Sequence, residues 1–359
     1  MGWLAGAIVV NQVKKHECGE EGGKELASTP CLFSVIIPAI KAGHLGEALR
    51  SLVNQTWRDF EIIVLDDAGS PSVTRVVTAI QDSRIIYRRF DLNVGAEYPS
   101  KTWNLALESA RGEFVVLLGD DDCLAENYLE AMERLIRTFP GSDLYRTRLR
   151  IIGPNGSTLL PEAPVPVAES WDEFLFRRTT VFYPQSTAEM CVRATAIRKL
   201  GGYADLPLAL GSDDITWLRL ALSSPVISTN ETYACWRIHS GGLSHKGGVK
   251  AHRLAACENA QKIQLAMVRE NEPLRISREE LIDAVKRFWG EHRRSINRSP
   301  LVETHIKLRL WRFFARILTA RGQSMLYGWH MRRKLGAPHK AGGHENRMSR
   351  ILNSPVSSP

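Results

Sequence analysis

Short apolar runs alternate with amphipathic stretches along the first half of the chain. Phe33 to Ile37 is an apolar run closed by Pro38, the pattern of a strand buried on both faces of a parallel sheet. Leu45, Ala48, Leu49, Leu52 and Val53 then recur at helical spacing, which predicts an amphipathic helix from His44 to Gln55. A second apolar run, Phe60 to Leu65, leads to Asp66-Asp67. Ser70-Pro71 reads as an N-cap with proline at the first helical position, before a helix carrying Val73, Val76, Val77 and Ile80. Arg84 to Phe90 reads as a strand, Ser100 to Ala110 as a helix and Phe114 to Leu118 as the next strand. Tyr128, Leu129, Met132, Leu135 and Ile136 mark a helix that ends before Pro140-Gly141. Strands alternating with helices imply right-handed crossovers and an α/β, Rossmann-like, mainly parallel doubly wound sheet.

The pattern changes after Asp143. Leu144 to Ile152, followed by Pro154-Asn155-Gly156, predicts a hairpin or mixed-sheet region. A helix around Ala194 to Leu200 stops at Gly201-Gly202, and another runs from Ser212 through Ala221. Beyond about Gly241 only helical periodicity is left. The organisation expected is a poorly ordered extension over residues 1–30, a catalytic domain over 31–244, a helical C-terminal region over 245–335 and a disordered tail over 336–359.

Composition adds little until the charge is located. The 359 residues carry a formal net charge of +8, and six scattered cysteines form no C-x-x-C pair. Reduced thiols in a cytoplasmic protein fit that usage better than a disulfide frame or a zinc site. Trp3 to Val10 is apolar but too short to span a bilayer, and with no basic residue before it a secretory signal is not expected. The positive charge gathers near the C-terminus, where Lys307, Arg309, Arg312, Arg316 and Arg321 lie among Val302, Ile306, Leu310, Phe313, Phe314 and Ile317 at helical spacing. Such a stripe either packs on the catalytic domain or lies on an anionic membrane surface at the cytoplasmic face. No nucleic-acid-binding motif accompanies it, so nucleic acid is not an expected partner.

The candidate chemistry sits at strand ends. Asp120, Asp121 and Asp122 follow directly on an apolar run, and adjacent carboxylates repel unless a cation binds or a proton is shared. In open α/β sheets ligands bind beyond the carboxyl ends of strands, so something cationic, or a metal carrying a phosphorylated ligand, is the expected occupant. Asp66-Asp67 reads equally well as turn chemistry. Asp213 and Asp214 open a helix, either as dipole partners or with one of them as a general base. Arg237 and His239 precede a glycine-containing loop.

Taken in order, these segments resemble family 2 glycosyltransferases of the GT-A fold, over about Phe33 to Ser244. Ser34-Val35-Ile36-Ile37-Pro38 looks like that family's opening strand, and Leu49 to Gln55-Thr56 with Asp59-Phe60-Glu61 resembles the S-x-x-x-Q-T…D-F-E stretch. Val64 to Ser70 is similar to the V-D-D-G-S nucleotide turn. Asn93-Val94-Gly95 with Asn104 matches N-x-G…N, and Ala110 to Phe114 matches A-x-G-E-Y. Gly201-Gly202-Tyr203 looks like G-G-F, and Arg237-Ile238-His239 like the late R-x-H.

The resemblance implies an inverting transfer of sugar from a nucleotide-diphosphate donor, UDP-linked by preference, to a saccharide or lipid-linked acceptor in surface polysaccharide or glycolipid assembly, with Mn²⁺ or Mg²⁺ as cofactor. It implies Asp213 as catalytic base, with Asp214 as the other candidate. Pro38, Asp66, Asp67, Asn93, Lys101, Asn104, Asp120 and Arg237 would contact substrate, and Asp121, Asp122 and His239 the metal. Three departures stand out: Gly119 where many members have the first Asp of D-x-D-D, Trp103 where an Arg is common, and Ser212 where Glu is usual. Two other enzyme or signalling classes fit less well. A receiver domain would be complete in about 120 residues, and a sugar-phosphate nucleotidyltransferase usually has a Gly-rich basic loop where Pro38 to Gly46 holds only Lys41. A catalytically silent binding or scaffold protein of the same fold is separated from an enzyme by assay.

Overall fold

The computed structural model describes residues 31–180, 184–239, 242 and 250–298. The expected extension over 1–30, the basic stripe within 302–335 and the tail over 336–359 lie outside the described residues. In chain order the elements begin with β1 (Phe33–Ala39), α1 (Leu45–Val53), β2 (Phe60–Asp67), α2 (Pro71–Thr78), β3 (Ile85–Phe90), α3 (Pro99–Ser109) and β4 (Phe114–Leu117). There follow β5 (Cys123–Leu124), α4 (Tyr128–Thr138), β6 (Leu144–Ile152), β7 (Thr158–Leu160), β8 (Ala168–Glu169), α5 (Trp171–Thr180) and a 3-10 turn at Thr187–Glu189. The remainder is β9 (Met190–Arg193), α6 (Ala194–Lys199), a second 3-10 turn at Pro207–Ala209, α7 (Ser212–Ala221), β10 (Val226–Arg237), α8 (Lys250–Glu270) and α9 (Arg278–Arg298).

One sheet carries the fold, in the order β3-β2-β1-β4-β9-β6-β10-β5, with β7 added on β6 and β8 on β10. The β3-β2-β1-β4 half is parallel, as the alternation of apolar runs and amphipathic helices predicts. The other half is mixed, because β9 enters antiparallel between β4 and β6, while β6 and β10 pair parallel. Residues of β1 alternate between the two faces: Ile36 packs with α3, α5, α7, α8 and α9, whereas Val35 and Ile37 pack with α1, α2 and α4. Pro38 does not end β1. Pairing with β4 stops at Ile36, so the missing amide of Pro38 falls where no partner on that side needs it.

β10 and α5, with the short strands β5, β8 and β9, are absent from the sequence pattern. β10 has a polar centre, Ser228 to Thr232, and its register with β6 shifts between Ser228 and Tyr233, so neither an apolar run nor an alternation survives. The short α5 carries four charged residues in ten. α8 and α9 share the core beneath α7: Trp289 is buried and donates from its indole nitrogen to Gln264 Oε1 at 2.7 Å. Asp172 at the start of α5 accepts the amides of Leu274, Arg275 and Ile276 (3.0, 2.6 and 2.8 Å), which holds the α8–α9 connection on the domain. Among the described residues no helix is long and apolar enough to cross a membrane.

Candidate active site

The three aspartates form a tight turn between β4 and β5, closed by the Asp122 amide donating to Gly119 O at 3.2 Å. The turn sends them in different directions. Asp120 Oδ2 accepts the amides of Ile40 and Lys41, both at 2.9 Å, and so anchors the loop after β1. Burial and the Asp121 charge raise its proton affinity, with those amides opposing. Asp122 is buried; its Oδ1 accepts the Arg237 amide at 2.8 Å and its Oδ2 the Ser186 hydroxyl at 3.4 Å. Burial, then Asp121, holds its pKa well above the carboxylate range, and both of its oxygens have protein partners. Asp121 is the member that faces outward. Its Oδ2 lies 2.8 Å from His239 Nε2, with the two side chains 21% and 15% exposed. Gly119 is explained by the same turn: a Cβ there would meet Asp121 Oδ1 at 2.9 Å and Asp122 Oδ2 at 3.0 Å. The carboxylates occupy the space that a side chain at 119 would need.

The residues expected on the donor side divide into supports and exposed groups. Asp66 is wholly buried; it closes its own turn by accepting Gly69 N at 2.7 Å, and also accepts from the Tyr87 hydroxyl at 2.5 Å and from Arg89. Asp67, equally buried, accepts Val94 N at 2.6 Å, Gly95 N at 2.8 Å and Thr102 Oγ1 at 2.7 Å, and thereby shapes the 93–95 turn. Asn104 is engaged at both ends of its amide by the Tyr203 backbone, at 2.7 and 3.1 Å. Gly202 precedes that clamp at φ +93°, and a Cβ there would sit 2.3 Å from Asn104 Oδ1. Arg237 is a support as well. Its guanidinium is buried and donates to Asp121 O, Gly153 O, Pro154 O and Glu47 Oε2. Asn93 and Lys101 are exposed, with Lys101 Nζ 4.7 Å from the Tyr98 ring centroid; Pro38 is partly exposed near the end of β1.

The two aspartates that open α7 differ in kind. Asp214 is buried and forked by Arg178 of α5, with Nε to Oδ1 at 2.6 Å and Nη2 to Oδ2 at 3.2 Å; Gln185 Nε2 adds a third donor at 3.1 Å. Asp213 forms no ion pair with the described residues; its carboxyl is met by the backbone amides of Asp213 and Asp214 and keeps partial exposure. Burial, then the neighbouring Asp214, push its carboxyl up to about 7, with Arg178 opposing. A short stretch joins this point to the acidic turn: Gln185 holds Asp214 while the next residue, Ser186, holds Asp122. Three residues further, Glu189 is wholly buried with neither carboxylate oxygen hydrogen-bonded, and burial pushes it up to about 8 against the field of Arg146 and Arg178.

Arg178, Gln185 and Glu189 were not foreseen. Arg178 lies in the last turn of a helix that the sequence pattern does not predict, Gln185 in irregular backbone and Glu189 in a short 3-10 turn, so no periodicity marks them. The arrangement offers an outward-facing oxygen and nitrogen donor pair, and an unpaired carboxyl whose proton affinity lies near neutrality. Such groups suit cation binding and proton abstraction.

Comparison with known proteins agrees with the fold. Residues 34–200 match the family model described as Glycosyl transferase family 2. Over 104 residues the chain is 39% identical to a GalNAc(5)-diNAcBac-PP-undecaprenol beta-1,3-glucosyltransferase of Campylobacter jejuni, covering 28% of this chain and 33% of that one. The first curated relatives are spanned only in part, from 33% to 59% of their length. Staphylococcus aureus TarS 1–349, solved with UDP-GlcNAc, superposes with a TM-score of 0.54 at 18% identity, over 73% of this chain and 72% of that one. The Pyrobaculum calidifontis mannosyltransferase PcManGT, solved with GDP-Man and Mn²⁺, superposes at 0.50 with 16% identity, over 86% and 81%. The family match runs across β1 to α6 and includes the acidic turn after β4, so residues 34–200 are similar to family 2 glycosyltransferases, and the sheet has the fold of the TarS structure.

Proposed function

We propose that this chain is an inverting glycosyltransferase that moves a sugar from a nucleotide-diphosphate donor, a UDP-sugar by preference, to an acceptor hydroxyl. The observation that carries the reading is the contrast at the start of α7. Asp214 is neutralised by Arg178, whereas Asp213 stands unpaired with a proton affinity near neutrality. A base of that strength is ionised for part of the time at pH 7 and accepts a proton readily.

The acceptor oxygen attacks the anomeric carbon from the face opposite the diphosphate. The bond from that carbon to the diphosphate oxygen breaks, its electron pair stays on the diphosphate, and the hydroxyl proton passes to Asp213. One displacement inverts the stereochemistry, with no covalent intermediate on the protein. Asp66 and Asp67 shape the turns on the nucleoside side, where Pro38, Asn93 and Lys101 are accessible, and Asp120 sets the loop bearing Lys41.

The donor set fits a divalent ion held by few protein ligands. Asp121 Oδ2 and His239 Nε2 would supply one oxygen and one nitrogen to Mn²⁺ or Mg²⁺, and because no third His, Cys, Asp or Glu side chain joins them among the described residues, further ligands would have to come from the bound substrate and water. Asp122 would have to release the Arg237 amide to join them. When bound, the ion stabilises negative charge developing on the leaving diphosphate. The likeness to TarS, solved with UDP-GlcNAc, and to PcManGT, solved with GDP-Man and Mn²⁺, supports a nucleotide-sugar donor and a divalent ion, and the likeness to the C. jejuni glucosyltransferase supports a lipid-diphosphate-linked saccharide acceptor. With such an acceptor, the enzyme works at the cytoplasmic face of the membrane in surface polysaccharide or glycolipid assembly.

Calorimetric titration with UDP tests the donor site. Binding should strengthen on adding Mn²⁺, and Asp121→Ala should remove that gain. Equal affinity in Mn²⁺ and in chelator, for the unaltered chain, would refute the metal assignment.

A further inference from the structure

Five residues close a circuit around the outward-facing donor pair, and two of them, the N-cap His44 and Glu47 of the first turn, belong to the start of α1, an element that the mechanism does not use. His239 Nε2 lies 2.8 Å from Asp121 Oδ2. The carbonyl of Asp121 accepts Arg237 Nε at 2.8 Å, and Arg237 Nη2 donates to Glu47 Oε2 at 2.7 Å. The other oxygen of Glu47, Oε1, lies 3.5 Å from His44 Nδ1. The His44 ring then returns to His239, edge to face, with centroids 5.1 Å apart and planes at 74°.

Each link has a physical consequence. Arg237 is 2% exposed, and Glu47 is its one ion-pair partner among the described residues. The remaining Arg237 contacts are to carbonyls and a thiol, so Glu47 supplies the negative charge that a buried guanidinium requires. Arg237 in turn braces the acidic turn at two points, through its side chain to Asp121 O and through its amide to Asp122 Oδ1. His44 Nδ1 is shut off from solvent and has no hydrogen-bond partner, with the Glu47 carboxylate as its nearest ionic group. Its contact with His239 is the packing of the two rings, edge to face.

We propose that His44 and Glu47 are positioning residues that hold Asp121 and His239 at ligating separation, so that the first turn of α1 determines how well this site holds a divalent ion. The proposal rests on the reading of Asp121 and His239 as the metal donors. Groups beyond the ligand shell that orient ligands typically change metal affinity by about 10–100-fold when removed.

The test uses the full chain, with Mn²⁺ binding followed by electron paramagnetic resonance of the free ion in the presence of UDP, and with UDP affinity measured separately in chelator. Glu47→Gln and His44→Ala should each weaken Mn²⁺ binding by about tenfold and leave UDP affinity in chelator unchanged. His44→Phe keeps the ring and should keep Mn²⁺ affinity close to that of the unaltered chain. A general loss of fold would lower UDP affinity in chelator as well and would not be rescued by phenylalanine. Asp121→Ala separates the two layers of the argument. If it abolishes Mn²⁺ binding while Glu47→Gln and His44→Ala bind normally, the positioning roles are refuted and the donor reading stands. If Asp121→Ala binds Mn²⁺ as well as the unaltered chain does, the donor reading fails and the positioning roles fail with it.

Discussion

Substitution of the adjacent residues Asp213 and Asp214 by asparagine should produce opposite phenotypes. Asp214 is 5% exposed and forked by an Arg178 that is itself only 16% exposed. Asp214→Asn preserves one acceptor oxygen but removes the carboxylate charge that is paired with the buried guanidinium. Breaking a buried pair from one side costs about 3–5 kcal/mol. The retained oxygen and the hydrogen bond from Gln185 place this case at the lower end. For a domain of this size each kcal/mol shifts Tm by about 2–4 °C, so a fall of roughly 6–12 °C is expected.

Asp213→Asn removes a group that the fold disfavours in its charged form. Its carboxyl is pushed up from the ordinary 3.8 to about 7, so the native state favours the protonated form. That advantage is complete below pH 4 and is lost as pH rises through 7. Asparagine cannot ionise, so the variant should match the unaltered chain near pH 4–5 and exceed it at pH 8. At ~1.4 kcal/mol per unit the gain is bounded by about 4 kcal/mol, and partial exposure reduces it. Transfer should fall by roughly 10²–10⁴-fold, the usual worth of a general base. Thermal melts at pH 5 and 8, with nucleotide release as the activity readout, check both halves. Wild-type stability for Asp214→Asn together with wild-type transfer for Asp213→Asn would refute the division of labour.

Two further substitutions probe the surroundings of the site. Glu189→Gln replaces a wholly buried carboxyl pushed up from 4.5 to about 8; its stabilising protonated form is lost as pH rises through 8, so the variant's Tm advantage should be larger at pH 8 than at pH 5, and an equal difference at both would contradict the burial argument. Gly202→Ala forces a side chain into a backbone at φ +93° and against Asn104 Oδ1, so urea denaturation should show a loss of at least about 1–2 kcal/mol, and a neutral result would mean that the Asn104–Tyr203 clamp gives way freely.

Much of the parallel half of the sheet is legible because burial on both faces leaves unbroken apolar runs, as in Val35 to Ile37 and Ile62 to Leu65. The mixed half is not. β9 is four residues long, and β10 hides behind the polar run Ser228 to Thr232. At the site, sequence order brings Asp66, Asp67, Asp121 and Asp213 to one edge but does not tell a ligand contact from a brace. That distinction depends on partners remote in sequence. Arg178 lies 36 residues before Asp214, and Glu47 lies 190 residues before Arg237. The departure at Gly119 likewise becomes intelligible only once the two carboxylates are seen folded back over it.

The stereochemistry of the transferred sugar tests the central claim most directly. The purified chain, given Mn²⁺, a panel of UDP-, GDP- and dTDP-sugars and a lipid-diphosphate-linked saccharide, should form a product whose new glycosidic linkage, read by NMR, has the anomeric configuration opposite to that of the donor. A product that retains the donor's configuration would contradict single displacement assisted by Asp213, and release of nucleotide without any glycosidic product would contradict sugar transfer itself.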